Sequence, residues 1–220
     1  MNQLSTLVCL GVLAAGSTSA LAQSFDISPV NKFAWGENIG WTNWNDSNPL
    51  SEKVVVGETY MKGLIWGENV GWINTGNVPS NGVSYNNLTG LDYGVNVSPS
   101  GALSGKAWGE NIGWLNFTLS GIIPAGQLPR FVRVEGRFRG YVWGENVGWI
   151  NLDDATHFVG VICPADFDDD GTVDFFDYDA FVQCFEGGAC PPGKTADFDG
   201  DGTVDFFDYD AFVVAFEAGC

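Results

Sequence analysis

Hydrophobic and polar residues alternate with a period of two through three segments, Met61 to Trp66, Leu103 to Trp108 and Phe138 to Trp143. Met61, Gly63 and Ile65 fall on one face, and Lys62, Leu64 and Trp66 on the other. Leu103-Gly105-Ala107 against Ser104-Lys106-Trp108, and Phe138-Gly140-Val142 against Arg139-Tyr141-Trp143, repeat the division. This is the period of a strand with one face in a core. Each segment runs into Gly-Glu-Asn-[Ile/Val]-Gly, whose glycines tolerate positive φ and whose Asn favours a turn, and then into more strand-like residues. A hairpin with a five-residue loop is predicted. Upstream, Tyr93 to Val97 and Phe131 to Val134 are strand-like and end in turn residues, so each full repeat reads as a three-stranded meander. The mid-strand glycine leaves a gap on the aliphatic face, which the second Trp of the motif is expected to fill.

Two other segments follow different patterns. Phe175, Tyr178, Val182 and Phe185 recur at helical spacing, as do Phe206, Tyr209, Val213 and Phe216, so a helix is predicted at each place. Near the amino end, Leu7 to Ala15 is apolar and small residues follow to Ala22. That is the layout of a secretory signal peptide, 1–22, cut after Ala22. A membrane anchor needs about 18 apolar residues, and Gly16-Ser17-Thr18-Ser19 interrupts at about half that length. No membrane span is expected after cleavage.

The strand pattern belongs to an internal repeat. The motif [AVI]-W-G-E-N-[IV]-G-W occurs four times, at Ala34 to Trp41, Ile65 to Trp72, Ala107 to Trp114 and Val142 to Trp149, with Asn43, Asn74, Asn116 and Asn151 two residues beyond. Eight of the nine tryptophans fill its two Trp positions. One reading gives the indoles a packing role between neighbouring hairpins, because small repeats need large side chains to build a core. The other makes Trp35, Trp66, Trp108 and Trp143 a row of partly exposed platforms for sugar rings, flanked by Glu and Asn. Glu37, Glu68, Glu110 and Glu145 are equivalent copies, not an acid and base in different environments, so no active site is predicted and the chain is not expected to be an enzyme.

Composition narrows the partners. Of 220 residues, 9 are Lys or Arg and 27 are Asp or Glu, a formal charge of −18. Such a chain cannot neutralise a run of phosphates, which argues against nucleic acid. The single histidine, His157, excludes zinc sites and mechanisms that need two.

Much of the acidity sits in a second repeat. Asp166 to Gly188 and Asp197 to Gly219 align without gaps over 23 positions and differ at four. Each begins D-F-D-x-D-G-T-V-D-F-F-D, with carboxylates at positions 1, 3, 5, 9 and 12 and Gly at 6, the spacing of an EF-hand calcium loop. Asp166, Asp168, Asp170, Thr172 through its carbonyl, Asp174 through water and Asp177 are the expected ligands of one Ca²⁺. Asp197, Asp199, Asp201, Thr203, Asp205 and Asp208 are those of a second. Without the ions the crowded carboxylates repel one another, so order in the loops is expected to depend on metal. Four cysteines, Cys163, Cys184, Cys190 and Cys220, share this last region. An even number in an exported segment favours two disulfides, with three possible connectivities. Cys184 with Cys190 as a local bridge and Cys163 with Cys220 is the favoured set; metal binding by the thiols has no CxxC pair to support it.

The stretch from about 30 to 152 is similar to the GxAWGENVGWINF repeats of secreted bacterial proteins, a likeness that implies little chemistry. The loop-then-helix duplicate, with Pro164 and Pro192 where an entering helix would lie, resembles the dockerin module of secreted bacterial proteins from Cys163 to Cys220. The resemblance implies docking onto a cohesin-like protein or cell-surface scaffold through loop positions 10 and 11, here Phe175, Phe176, Phe206 and Phe207. Cellulosomal dockerins often carry small hydroxyl residues there, and this chain departs from them.

The expected protein is secreted, possesses more than one domain and is not catalytic. An all-β repeat domain, 24–160, built as a propeller, solenoid or sandwich, is followed by a small all-α, paired loop-helix, calcium-binding dockerin-like domain, 163–220. Polysaccharide bound through the repeated Trp, or a part in its degradation, is the alternative role.

Overall fold

The computed structural model describes residues 24–46 and 52–219. The expected signal peptide and Cys220 lie outside the described residues. In chain order the strands are β1 (Ser24–Gly36), β2 (Gly40–Asn43), β3 (Val55–Gly57), β4 (Met61–Lys62), β5 (Leu64–Gly67), β6 (Gly71–Asn74) and β7 (Val95–Val97). They continue with β8 (Leu103–Gly109), β9 (Gly113–Asn116), β10 (Arg130–Val132), β11 (Arg137–Arg139), β12 (Tyr141–Gly144), β13 (Gly148–Asn151) and β14 (Val159–Val161). Two helices, α1 (Phe175–Phe185) and α2 (Phe206–Ala218), come last.

Each motif forms a hairpin: β1 with β2, β5 with β6, β8 with β9, and β12 with β13. Neighbouring hairpins pair antiparallel through β2–β5, β6–β8 and β9–β12. The last strand then returns to the first, with Trp35 opposite Asn151 and Gly36 opposite Ile150. The result is a closed eight-stranded antiparallel barrel, which replaces the expected propeller, solenoid or sandwich. Closure leaves the four hairpins without a free edge between them, as a blade or stack would not.

Nor does a small all-α domain follow. The two short helices are joined by turns and irregular backbone, and Val173, Ala215 and Phe216 pack against the same apolar core as the strands. Their own cluster, centred on Phe181 stacked on Phe212 at 4.0 Å with Phe167 and Phe198 at its edges, adjoins that core. The molecule is mostly β, with two helices laid beside a barrel. Cys184 and Cys190 form a disulfide at the end of α1, and Cys163 is disulfide-bonded as well.

The barrel interior follows from the period of two. Ala34, Thr42, Ile65, Ile73, Ala107, Leu115, Val142 and Ile150, one from each strand, are all buried. Ile39, Val70, Ile112 and Val147 fold back from the hairpin loops and close one end, while Trp44, Thr75, Phe117 and Leu152 fill the other. A cavity between these inward side chains measures only about 10 Å³, so side chains fill the barrel as a packed core. The first motif glycine makes the closing end possible. A Cβ at Gly36, Gly67, Gly109 or Gly144 would lie 2.6, 2.5, 2.6 or 2.4 Å from the plugging Ile or Val of its own loop.

The mid-strand glycines answer a different need from the one expected. Gly63, Gly105 and Gly140 take φ of +111°, +91° and +87°, and the space beside them holds backbone carbonyls of Lys53, Gly94 and Leu128, not a tryptophan ring. They let each long strand turn from the barrel into its outlying meander.

Candidate functional site

Each acidic loop is shaped by its own side chains. Asp166 accepts from the Gly171 N–H at 3.0 Å, Asp168 from Asp170 N–H at 3.0 Å, and Asp170 from Thr172 N–H at 2.8 Å. Gly171 and Gly202, at position 6, both sit at φ +91°, where a Cβ is disfavoured. The second loop repeats the set, with Asp197 to Gly202 at 3.1 Å, Asp199 to Asp201 at 3.0 Å and Asp201 to Thr203 at 2.8 Å. Each loop then starts its helix through a reciprocal cap. Asp174 and Asp205 accept from Phe176 and Phe207 N–H, both at 2.8 Å, and Asp177 and Asp208 reach back to the cap backbone.

This turns carboxylate oxygens inward. Ligand atoms of Asp166, Asp168 and Asp170 lie within 4.8 Å of one another, as do those of Asp197, Asp199 and Asp208. Asp166 Oδ1 and Asp197 Oδ1 are fully buried and have no hydrogen-bond partner among the described residues. An unpartnered buried carboxylate oxygen is costly unless a cation meets it. An all-oxygen donor set suits a hard divalent ion. Other expected ligands are engaged differently. Asp177, buried, accepts from Phe167 and Asp168 N–H at 2.6 and 3.0 Å and from Asp174 N–H at 2.8 Å, and stands outside the first trio. Asp208 accepts the equivalent bonds, from Phe198 and Asp199 N–H at 2.6 and 3.1 Å and from Asp205 N–H at 2.8 Å, yet belongs to the second trio, outside which Asp201 stands. Thr172 and Thr203 donate their hydroxyls to Asp170 and Asp201, each at 2.6 Å.

Burial pushes the Asp166 carboxyl up to about 6, with the negative charge of Asp177 adding to it. Burial raises Asp168 too. Asp208 is held below the ordinary carboxylate range by the N–H of Asp205 and, less strongly, those of Asp199 and Phe198. The two loops also differ in their surroundings. Lys194 pairs with Asp169 at 2.8 Å and donates to the Asp166 carbonyl at 2.9 Å, whereas Gly200 takes the place of Asp169 in the second loop. Beside the loops, Phe175, Phe176, Phe206 and Phe207 are 71, 68, 69 and 68 % exposed. Neither Phe pair belongs to the core that Phe181 and Phe212 form.

The barrel motif distributes its residues otherwise. The two Trp of every hairpin face outward and meet at 4.6 to 4.8 Å with their rings inclined by 59 to 63°. Trp35 and Trp66 are exposed, and Trp108 and Trp143 half-buried. The motif Asn residues do not flank them. Asn38, Asn69, Asn111 and Asn146 donate to the carbonyls of Val147, Ile39, Val70 and Ile112, between 3.0 and 3.1 Å. Each bond ties one hairpin loop to the next, and the four close a ring around one end of the barrel. Glu37, Glu68, Glu110 and Glu145 stand exposed at that end.

Among the described residues no helix is long and apolar enough to cross a membrane. Comparison with family models, curated proteins and solved structures finds no match to this chain.

Proposed function

We propose that the protein is a secreted, non-catalytic docking protein whose two acidic loops take up calcium and thereby present the four exposed phenylalanines to a partner on a scaffold or cell surface. The observation that carries this reading is the pair of unpartnered buried oxygens, Asp166 Oδ1 and Asp197 Oδ1, each in a cluster of carboxylates. Bound calcium supplies the positive charge that these oxygens lack. Asp166, Asp168 and Asp170 would hold one ion and Asp197, Asp199 and Asp208 the other. Asp177 and Asp208 each join the start of a helix to its loop through the same three backbone N–H groups, and each keeps a lone pair on Oδ2 for the ion.

Docking follows from what ordered loops do to their helices. Both helices begin at the loop's last residues, so fixing the loops fixes Phe175-Phe176 and Phe206-Phe207 in a defined arrangement. Exposed aromatic residues of this kind are strong anchors for protein partners. The closed barrel then serves as a rigid carrier with no interior site. The resemblance to dockerins makes a cohesin-like protein the first partner to test.

The test is capture of the partner from the source secretome by the full chain, in calcium and in chelator. Calcium-dependent capture of a cohesin-like protein, lost in the variant carrying Phe175→Ser, Phe176→Ser, Phe206→Ser and Phe207→Ser, is the expected result. Capture that ignores chelator, or failure of calorimetry to detect calcium uptake, would overturn the reading.

A further inference from the structure

The four hairpins share one motif but differ in what covers their second tryptophan. At the outward position two residues before the first Trp stand Phe33, Leu64, Lys106 and Tyr141. Phe33 meets Trp41 at 6.3 Å, Lys106 places its ammonium 5.7 Å from the Trp114 ring, and Tyr141 meets Trp149 at 6.3 Å. His157 covers Trp41 further at 4.8 Å, and Tyr93 covers Trp114 at 5.0 Å. In the second hairpin the residue is Leu64, and the aromatic neighbour of Trp72 is its own partner Trp66, at 4.6 Å. Trp66 and Trp72 are accordingly 37 and 36 % exposed, and Trp72 is the one second-position Trp among the exposed large hydrophobics.

Next along the hairpin lies a cleft of about 420 Å³ whose lining includes Glu52, Lys62, Leu64, Asn74 and Asn77. Leu64 and Asn74 lie opposite one another in the hairpin, one step along from Trp66 and Trp72 on the same outward face. Asn74 uses its Oδ1 to accept from Gly76 N–H at 2.8 Å, and its amide N–H groups donate to no other group among the described residues. The side chains of Glu52, Lys62 and Asn77 have no hydrogen-bond partner among the described residues. The Trp pair and the cleft thus lie in succession on one outward face, joined through Leu64 and Asn74, and the cleft holds donors and acceptors of both signs.

We infer that this face of the second hairpin binds a short run of sugar rings from an uncharged polysaccharide. A pyranose presents an apolar C–H face, which stacks on an indole, and a rim of hydroxyls, each donor and acceptor at once. Trp66 and Trp72 match the face, and Asn74, Asn77, Lys62 and Glu52 match the rim. The cleft volume is that of an ordinary small-molecule site. A net charge of −18 disfavours an acidic glycan or an anionic lipid surface, which selects the uncharged class. The site is remote in kind from the acidic loops and needs no calcium, so its failure leaves the docking proposal standing, and the reverse.

The full chain is run by affinity electrophoresis through gels containing hydroxyethylcellulose, xylan or galactomannan, with polygalacturonate gels and phosphatidylcholine vesicles as controls. Retardation by at least one neutral polysaccharide, with a shift in Trp fluorescence and no effect of EDTA, is expected. Leu64→Phe, which rebuilds the cover found in the first hairpin without disturbing the core, and Trp72→Ala should each weaken binding about tenfold, or about 1.4 kcal/mol. Trp114→Ala, on the covered third hairpin, should leave it unchanged. Absence of retardation in every neutral gel, wild-type binding by Leu64→Phe, a requirement for calcium, or preference for polygalacturonate or vesicles would each overturn the inference.

Discussion

Both repeats in this chain are built from Gly, Asn or Asp and aromatic residues, yet they direct their polar atoms in opposite ways. In the barrel the repeated Asn of each copy donates to the neighbouring copy, and the ring closes on itself. In the acidic loops the repeated Asp residues bind their own backbone and still leave a buried oxygen in each copy unpartnered. A repeat whose polar groups are satisfied by its own copies is architecture. One that leaves the same buried atom unpartnered in every copy, among the described residues, sets its polar groups apart from a self-satisfied framework.

Chelation should separate the two regions most sharply. A metal that binds only the folded state at about a thousand times its dissociation constant stabilises by about 4 kcal/mol. Its removal is expected to abolish most of the helical circular dichroism of α1 and α2 while leaving the near-ultraviolet signal of the packed tryptophans intact. Loss of both signals together would show that the helices and the barrel unfold as one unit and that the contrast is false.

Two glycines at the same φ sharpen the comparison at the next level. Gly105 and Gly202 both stand at +91°. A Cβ on Gly105 would lie 2.2 Å from the Gly94 carbonyl oxygen, whereas nothing lies within 4 Å of one on Gly202. Gly202→Ala bears the backbone strain alone, about 1–2 kcal/mol. Gly105→Ala adds a collision with backbone, and we expect a total of about 3 kcal/mol or more, read as a lower denaturation midpoint of the barrel. Equal costs would mean that the barrel yields as readily as the loop.

A smaller effect tests the Asn ring. Asn69→Ala removes one of its four bonds and leaves the Ile39 carbonyl without that donor, a loss of about 1 kcal/mol in barrel stability by chemical denaturation. Calcium uptake should not change. An effect on calcium affinity would show coupling that the separate hydrogen-bond networks do not provide.

How much of this was legible beforehand depended on the distance over which each feature is determined. The alternation in Met61 to Trp66 placed Ile65 inside and Trp66 outside, because a strand's faces are set residue by residue. The spacing of Asp166, Asp168 and Asp170 likewise brought their carboxylates into one cluster, since the three are near neighbours in sequence. Barrel closure was not legible, because it rests on Trp35 meeting Asn151 and no local pattern records that pairing. The motif Asn read as a turn former for the same reason; its acceptor belongs to another copy. Gly63 read as space for an indole, but alternation reports faces and not φ. Asp177 read as a ligand, and its spacing gave no sign that it also accepts from the Phe167, Asp168 and Asp174 N–H groups, as Asp208 does in the second loop. The helical pattern after residue 174 was sound, but it carried no sign that Phe216 would pack toward the barrel core.

The gentlest test of the contrast is pH. Burial raises the Asp166 carboxyl from an ordinary 3.8 to about 6. Between those values the metal-free native loop holds a proton that the unfolded chain has released, so its stability falls as pH rises through that window and is level above it. The lowered value of Asp208 acts in the opposite sense, but below 3.8, outside the window. In EDTA the helical signal should therefore be stronger at about pH 5 than at about pH 7, while the tryptophan signal of the barrel stays constant. Calcium reverses the preference, because the ion needs the carboxylate deprotonated: below about pH 6 its uptake should release protons, seen as a calorimetric heat that varies with the buffer's ionisation enthalpy. A metal-free helical signal that instead grows as pH rises from about 5 to 7 would mean that the Asp166 oxygen is not buried without its ion, and the difference between the two repeats would lose its physical basis.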